Sequence, residues 1–271
     1  MSQPANASQA SQPAVLITGA AAGIGRAIAA KFAGQGWTVG MYDIDAEAVA
    51  RTAKEIGGTT VTGAFDVTDP AGWEQALADF TAATGRLDLL VNNAGILHSG
   101  PFGDISLERQ HRLVDVNIKG VLNGCHTALP YLRRTPGSQV INLASASALY
   151  GQPGLAVYGA TKAAVRSLTE ALDLEWRHYG IAVRDLLPLF VATDMMTEVT
   201  RGSKSSATLG VRLTADDVAN SVWHTATHRR AVRGSHVLVG LQTKITAAAT
   251  QLSPAWLNRT VVGWISKADS L

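Results

Sequence analysis

The chain has 271 residues, 46% of them hydrophobic, which is long enough for one large α/β domain or two small ones and rich enough to bury a full core. Its net charge of +2 comes without any sustained run of lysine or arginine, so nothing points to nucleic acid as a partner. The single cysteine, Cys125, excludes an internal disulfide, and the scattered histidines lack metal-ligand spacing, so no metal is expected.

Residues 1–13, MSQPANASQASQP, are polar and low in complexity, with neither a basic start nor an apolar centre; they predict a disordered leader and not a signal peptide. Ala14 to Thr18 is a short apolar run, followed by GAAAGIG and an alanine-rich amphipathic stretch to Gln35, which together predict strand, glycine turn and helix. Trp37 to Tyr42 predicts a second strand ending at Asp43. Then come a helix over 46–56, a strand over 59–64, a helix over 70–84 and a strand over 87–91. One long helical region is expected from about Leu107 to Arg134, with Gly120 and Gly124 inside it for close packing. A strand over 140–143, a helix over 155–179 and a strand over 181–187 follow. Residues 189–214 read as irregular, 215–229 as a helix and 235–239 as a last strand.

Strands alternating with helices predict a single doubly wound, Rossmann-like α/β domain over 14–240, with a parallel sheet of about seven strands and helices on both faces. No run approaches the roughly twenty apolar residues that a membrane span needs, so the expected location is the cytoplasm.

Gly19, Gly23 and Gly25 punctuate the first strand–helix turn, where glycine lets a pyrophosphate approach the helix N-terminus. Asp43, ending the second strand, is placed to accept hydrogen bonds from an adenosine ribose. Its charge would repel a 2′-phosphate and no basic residue adjoins it, which favours NAD over NADP; Arg26 in the glycine turn is the counter-argument. Asp66 and Val67 follow the third strand, where the carboxylate and the Val67 amide can bond adenine. Asn92-Asn93-Ala94-Gly95 makes a polar turn after the fourth strand. Asn117, within the long helical region, is expected to face the sheet, where a buried amide either braces the fold or orders a water chain to a lysine.

The densest chemistry lies in INLASASALYGQPGLAVYGATK, residues 141–162. Lys162 follows Tyr158 by four residues, so a helix starting near Leu155 stacks the ammonium beside the phenol. The ammonium is expected to lower the phenol's ordinary value of about 10. Ser145, thirteen residues before Tyr158, can hold a substrate oxygen that the tyrosine protonates or deprotonates. Tyr150 and Tyr179 have no lysine at that spacing: Gly154 and Val183 stand there instead.

Together TGAAAGIG at 18–25, Asp43, Asp66-Val67, NNAG at 92–95, Asn117, Ser145 and YGATK at 158–162 resemble the short-chain dehydrogenase/reductase family, over roughly residues 14–240. That resemblance implies Tyr158 as catalytic acid/base, Lys162 as the residue that lowers its pKa and binds the nicotinamide ribose, Ser145 as the group that orients the substrate oxygen, and Asn117 as holder of a relay water. It implies cofactor contacts from Gly19, Gly23, Ile24, Gly25, Asp43, Asp66, Val67, Asn93, Ala94 and Gly95. It also implies a homodimer or homotetramer. Ser147 is the competing serine, but its spacing to the tyrosine does not fit the family.

Two departures stand out. Where the family has Pro-Gly after the sixth strand, this chain has Pro188-Leu189; Pro188 is still expected to wall the nicotinamide, with Val191 and Thr193 bonding its carboxamide and Leu189 crowding the substrate pocket. The last strand is also followed by about thirty further residues, 241–271. Ser253 and Pro254 can start a helix there, with Trp256, Leu257, Val261, Trp264 and Ile265 near one face. That helix is expected to pack on the domain or on a second subunit; contact with a membrane surface or a lid over the substrate is the sharper alternative.

The expected activity is hydride transfer between NAD(H) and a secondary alcohol or ketone. The pocket is expected from Leu97, His98, Leu149, Tyr150, Val157, Leu189 and the 189–214 segment, which are mostly apolar and imply a hydrophobic or aromatic substrate; His98 is either a polar contact there or an exposed loop residue. The alternatives are an NADPH-dependent carbonyl or 3-oxoacyl reductase and, from another class, a nucleotide-sensing binding protein.

Overall fold

The computed structural model describes residues 12–193, 213–229, 234–254, 256–257, 259–260 and 262. Much of the reading of residues 1–13, 189–214 and the tail, including Val261, Trp264 and Ile265, lies outside the described residues.

A seven-stranded parallel sheet forms the centre, in the order β3-β2-β1-β4-β5-β6-β9. Its strands are β1 (Ala14–Thr18), β2 (Thr38–Asp43), β3 (Thr60–Ala64), β4 (Leu89–Asn92), β5 (Gln139–Leu143), β6 (Ala182–Pro188) and β9 (His236–Val239). The inner strand β1 is buried throughout because helices cover both faces, which is why AVLIT shows no polar alternation. One face is closed by α3 (Pro70–Thr84), α5 (Gly120–Leu132) and α6 (Ala156–Glu175) over a core that includes Trp73, Phe80, Cys125 and Val165. The other is closed by α1 (Gly23–Ala33), α2 (Ala46–Ile56) and α7 (Ala215–Thr227) over Ile28, Phe32, Val49 and Val222.

Local chemistry sets the element ends. Asp45 caps α2 by accepting from the Ala48 N–H, and Asp69 caps α3 ahead of Pro70, whose missing N–H costs nothing at that position. A Thr214–Asp217 capping box starts α7. Close packing explains two further glycines: a Cβ on Gly120 would stand 2.7 Å from Val67 Cγ2, and one on Gly124 would stand 2.7 Å from the Trp73 ring.

The structure differs from the sequence reading in two places. The expected single helix over 107–134 is α4 (Leu107–Val114), a π-helical turn at Asp115–Lys119, then α5. In that turn the Gly120 N–H reaches back five residues to the Asp115 carbonyl, a register shift that hydrophobic periodicity does not report. The segment read as irregular carries two short strands, β7 (Val191–Ala192) and β8 (Leu213–Thr214), which pair in parallel and hold its two ends side by side. Two residues are too few to show a period.

After β9 the chain enters α8 (Leu241–Leu252) at once, with Thr243 and Ala247 buried and Leu241 and Ile245 exposed. The described residues beyond Pro254 are helical. No helix among the described residues is long and apolar enough to cross a membrane.

Candidate active site

The carboxyl ends of the strands around β1 and β4, where the sheet order reverses, open into a cavity of about 510 Å³. Along one side runs the turn between β1 and α1. Gly19 has φ +65°, and a Cβ there would meet Ala94 Cα and Asn93 Nδ2, each at 2.9 Å. Asn93 fastens this turn: its Nδ2 donates to the Thr18 and Gly19 carbonyls at 2.9 and 3.1 Å, while Thr18 Oγ1 accepts from the Asn93 and Ala94 N–H groups. The first turn of α1 has no side-chain cap and no acidic residue, so its N–H groups are left for an anion. Gly19, Gly23 and Ile24 line the cavity beside it. Gly25 does not. A Cβ there would lie 2.0 Å from the Gly19 carbonyl oxygen, so its part is to let the helix pack against the turn and not to touch a ligand.

Asp43 ends β2 at the cavity wall, its carboxylate held by the N–H groups of Ala21 (3.0 Å) and Asp45 (3.3 Å). Arg26 points away and pairs with Glu55 at 3.0 Å. Asp66 and Val67 line the cavity further along. Burial acts to raise the Asp66 carboxyl, but hydrogen bonds from Arg112 and Thr68 outweigh it and hold the group below its ordinary value. The Arg112 contact, at 2.7 Å, spans from α4 to the loop after β3, and Arg112 itself lines the cavity. The sequence reading missed Arg112, and no local pattern marks it. These features fit a nicotinamide dinucleotide: uncapped helix amides for a pyrophosphate, a braced carboxylate for a ribose, and a glycine cradle that a side chain would fill.

At the other end stand Ser145, Tyr158 and Lys162, all in the cavity wall with Asn93, Ala94 and Gly95. The Ser145 hydroxyl accepts from the Ser147 N–H at 3.2 Å and hydrogen-bonds the Tyr158 phenol. Withdrawal from water pushes the phenol up to about 12, against the opposing Ser145 bond. This reverses the expected direction. Lys162 Nζ donates to the Leu143 carbonyl at 2.7 Å and lies 5.7 Å from the centre of the Tyr158 ring, so desolvation of the phenol outweighs the ammonium's influence. Lys162 is itself buried, and burial lowers it to about 8.

Asn117, in the π-helical turn, is fully buried behind this wall. Its Oδ1 accepts from the Ile96 N–H at 2.9 Å, and its Nδ2 donates to the Ile96 carbonyl and to Thr161 Oγ1. The side chain therefore braces the loop after β4 against α6, and no part of it lines the cavity. Gly95 separates it from the lysine: a Cβ there would stand 3.2 Å from Asn117 Oδ1 and 3.5 Å from Lys162 Nζ.

Pro188, Leu189, Val191 and Thr193 line the cavity beyond β6. Leu97, Leu155 and Phe190 form an apolar cluster with Tyr158 and Leu189 packed on it. Leu149 is not part of this wall, contrary to expectation. The short 3-10 turn at Ala146–Ala148 folds the chain back, so Leu149 packs against the core under α3, α5 and α6. His98, Tyr150 and Val157 likewise do not line the cavity; His98 Nδ1 lies 2.9 Å from the Arg109 guanidinium. Phe190, within the 189–214 segment expected there, does line it, and so do Leu155, Ser147 and Gln152, which the sequence reading did not place there.

A family model described as short chain dehydrogenase matches residues 13–204. Sulfoacetaldehyde reductase 2 of Chromohalobacter salexigens is 35% identical over 221 residues, covering 79% of this chain and 88% of that protein. Serine 3-dehydrogenase of Agrobacterium fabrum is 36% identical over 217 residues, covering 78% and 87%. The crystal structure of 3-ketoacyl-(acyl-carrier-protein) reductase from Brucella melitensis complexed with NADH matches with a TM-score of 0.78 and 31% identity, over 83% of this chain and 95% of that chain.

Proposed function

The chain belongs to the short-chain dehydrogenase/reductase family, oxidoreductases of alcohol and ketone substrates that use a nicotinamide dinucleotide, and from that premise we propose that this member works with NAD(H) on a secondary alcohol or ketone of apolar skeleton. The observation that carries the reading is the single cavity, with Ser145, Tyr158 and Lys162 at one end and a braced Asp43 at the other. For the cofactor, Asp43 offers an acceptor pair to a ribose diol, and the one arginine near the glycine turn is engaged by Glu55. A 2′-phosphate would meet a carboxylate there, and the cation that lines the cavity toward that end among the described residues, Arg112, is already engaged by Asp66.

When bound, the nicotinamide supplies or takes the hydride at the substrate carbon. In the reductive direction Ser145 holds the carbonyl oxygen, and Tyr158 delivers its proton to that oxygen as the carbon gains hydride, leaving a secondary alcohol. With its phenol near 12, Tyr158 holds that proton at neutral pH and rests as the acid. Lys162, anchored on the Leu143 carbonyl, stays beside the phenol to offset the negative charge that develops there. Leu97, Leu155, Leu189 and Phe190 exclude water from the reacting centre and favour apolar substrates.

The test follows NADH formation by absorbance with purified protein, NAD or NADP, and secondary alcohols of graded size. Turnover with NAD and the larger apolar alcohols is expected. Turnover with NADP alone would refute the cofactor assignment, and silence with both would refute the chemistry.

A further inference from the structure

Asp66 and Arg112 line the end of the cavity where the neighbouring strands β2 and β3 deliver Asp43 and Ile44 on one side and Phe65, Asp66 and Val67 on the other. Neither side chain is sealed: Asp66 keeps 32% of its surface exposed and Arg112 keeps 43%, so both are within reach of a molecule in the cavity. The backbone that carries Asp66 is fixed, because Trp73 Nε1 and Asn123 Nδ2 both donate to the Val67 carbonyl, at 3.0 and 3.1 Å. What remains to be set is the carboxylate. Thr68 takes its Oδ1, the N–H donating at 2.9 Å and the hydroxyl at 2.8 Å. Arg112 Nη2 donates to Oδ2 at 2.7 Å.

A partly exposed ion pair contributes little to stability by itself. This one matters for what it leaves open. A carboxylate has about four acceptor positions, and the described residues use both on Oδ1 and one on Oδ2. The remaining position belongs to the oxygen that Arg112 holds. Burial pulls this carboxyl up, but the bonds from Arg112 and Thr68 outweigh it, so Asp66 is ionised at neutral pH and can only accept. Its open position therefore suits an N–H donor and repels a carbonyl oxygen. Asp115, three residues on from Arg112, is paired with Lys119 at 2.6 Å and is not the acid that holds the guanidinium. Around the pair the wall is apolar, made by Ile44, Phe65, Val67 and Val116, with Ile44 66% exposed. Apolar side chains for a flat face and one acceptor for an edge match a planar base with an exocyclic amine, as in adenine.

We propose that Arg112 is a positioning residue for the cofactor's base: by holding Oδ2 of Asp66 it aims the carboxylate's remaining acceptor site at the exocyclic amine of adenine, and so sets a preference for adenine over hypoxanthine. Hypoxanthine carries a carbonyl where adenine carries that amine, so it brings an acceptor to an acceptor. Without Arg112 the carboxylate is free to turn toward water, and the distinction between the two bases fades. The assignment rests on the reading that the cavity takes a nicotinamide dinucleotide with a ribose on Asp43. Arg112 acts through Asp66, so its loss registers in base selectivity and not in the chemistry at Tyr158.

The experiment measures, by calorimetry and without substrate, the binding of NADH, of its hypoxanthine analogue deamino-NADH, and of NADPH. It uses the wild type and the variants Arg112→Met, Arg112→Lys and Asp66→Asn, with a melting temperature for each. The wild type is expected to bind NADH about tenfold or more tightly than deamino-NADH, the usual effect of losing a hydrogen bond to a charged group. Arg112→Met should bring that ratio toward one by weakening NADH, and Arg112→Lys, which restores a cation, should keep part of it. Asp66→Asn presents an amide that can donate to the hypoxanthine carbonyl, and should bring the ratio to one or below. A wild-type ratio near one overturns the proposal. So does a ratio that survives Arg112→Met, including through equal losses for both dinucleotides, which would mark Arg112 as structural support alone. If no dinucleotide binds the wild type, the proposal falls together with the reading beneath it. NADPH binding more tightly than NADH, with the adenine preference still dependent on Arg112, supports this contact and overturns the NAD assignment.

Discussion

Lys162 lies one helical turn from Tyr158, yet its ammonium donates to the Leu143 carbonyl at 2.7 Å and stands 5.7 Å from the phenol ring. The protein thus holds an acid and a cation close together without pairing them directly, and both are withdrawn from water. Tyr158 is correspondingly pushed up to about 12 and Lys162 down to about 8.

Replacing Tyr158 by Phe removes the proton donor and leaves the ring in the wall. Turnover is expected to fall by roughly 10²–10⁴-fold, the usual worth of a positioned general acid. NADH affinity should stay close to wild type, because the cradle at Gly19 and Asp43 is untouched. Equal losses in turnover and NADH binding would show that the residue supports structure and not chemistry.

The buried lysine predicts a particular dependence of stability on pH. Its folded value, about 8, lies below the ordinary 10.5, so the folded chain binds that proton less tightly than the unfolded chain does. The charged form therefore costs stability below about pH 8, and the cost is relieved as pH rises from there toward 10.5. The full difference is on the order of 3 kcal/mol. Tyr158 acts the other way: its raised value stabilises the fold below pH 10, and that contribution is lost as pH rises toward 12. The window from pH 8 to pH 10 separates the lysine from Tyr158, and the buried Cys125, pushed up to about 12, contributes equally with and without the lysine and so drops out of the comparison. Urea melts there should show the gap between Lys162→Met and wild type narrowing with pH, with the variant more stable at the low end. Parallel curves would contradict the lysine's burial as the cause.

Asp43 spends its carboxylate on the N–H groups of Ala21 and Asp45, and that bracing aims it into the cavity. Asp43→Ala is expected to lower kcat/KM with NAD by about tenfold or more, and to narrow the gap between NAD and NADP. Unchanged preference in the variant would mean that another group selects the cofactor.

How much of this was legible beforehand follows from the range of each interaction. The glycine turn, Asp43 and the Tyr158–Lys162 spacing are local, and strand–helix alternation carried the parallel sheet. What escaped was long-range or dependent on a turn's exact path. Arg112 reaches Asp66 across 46 residues, and no periodicity announces such a pair. Leu149 was misplaced because the 3-10 turn after Ser145 reverses which side chains face the cavity. The π-helical turn under Asn117 hides inside a pattern that reads as continuous helix. The phenol's direction was misjudged for a different reason: spacing gives proximity, but it does not weigh desolvation against charge.

Gly95 offers a separate handle on the same site. Its α-carbon stands where any side chain would press on Asn117 Oδ1 at 3.2 Å and on Lys162 Nζ at 3.5 Å. Both neighbours are buried and tied to backbone carbonyls, so neither yields freely. The added methyl of Gly95→Ala is expected to cost about 1–3 kcal/mol in stability, the range for overpacking a filled interior. Its larger effect should fall on turnover, because moving Lys162 by a few tenths of an ångström shifts the cation that faces the developing phenolate. If stability alone sets activity, Gly95→Ala and a Gly120→Ala variant of similar Tm will lose turnover equally. If Gly95 is needed to keep the lysine in place, Gly95→Ala will lose more, with the excess in kcat and not in NADH affinity.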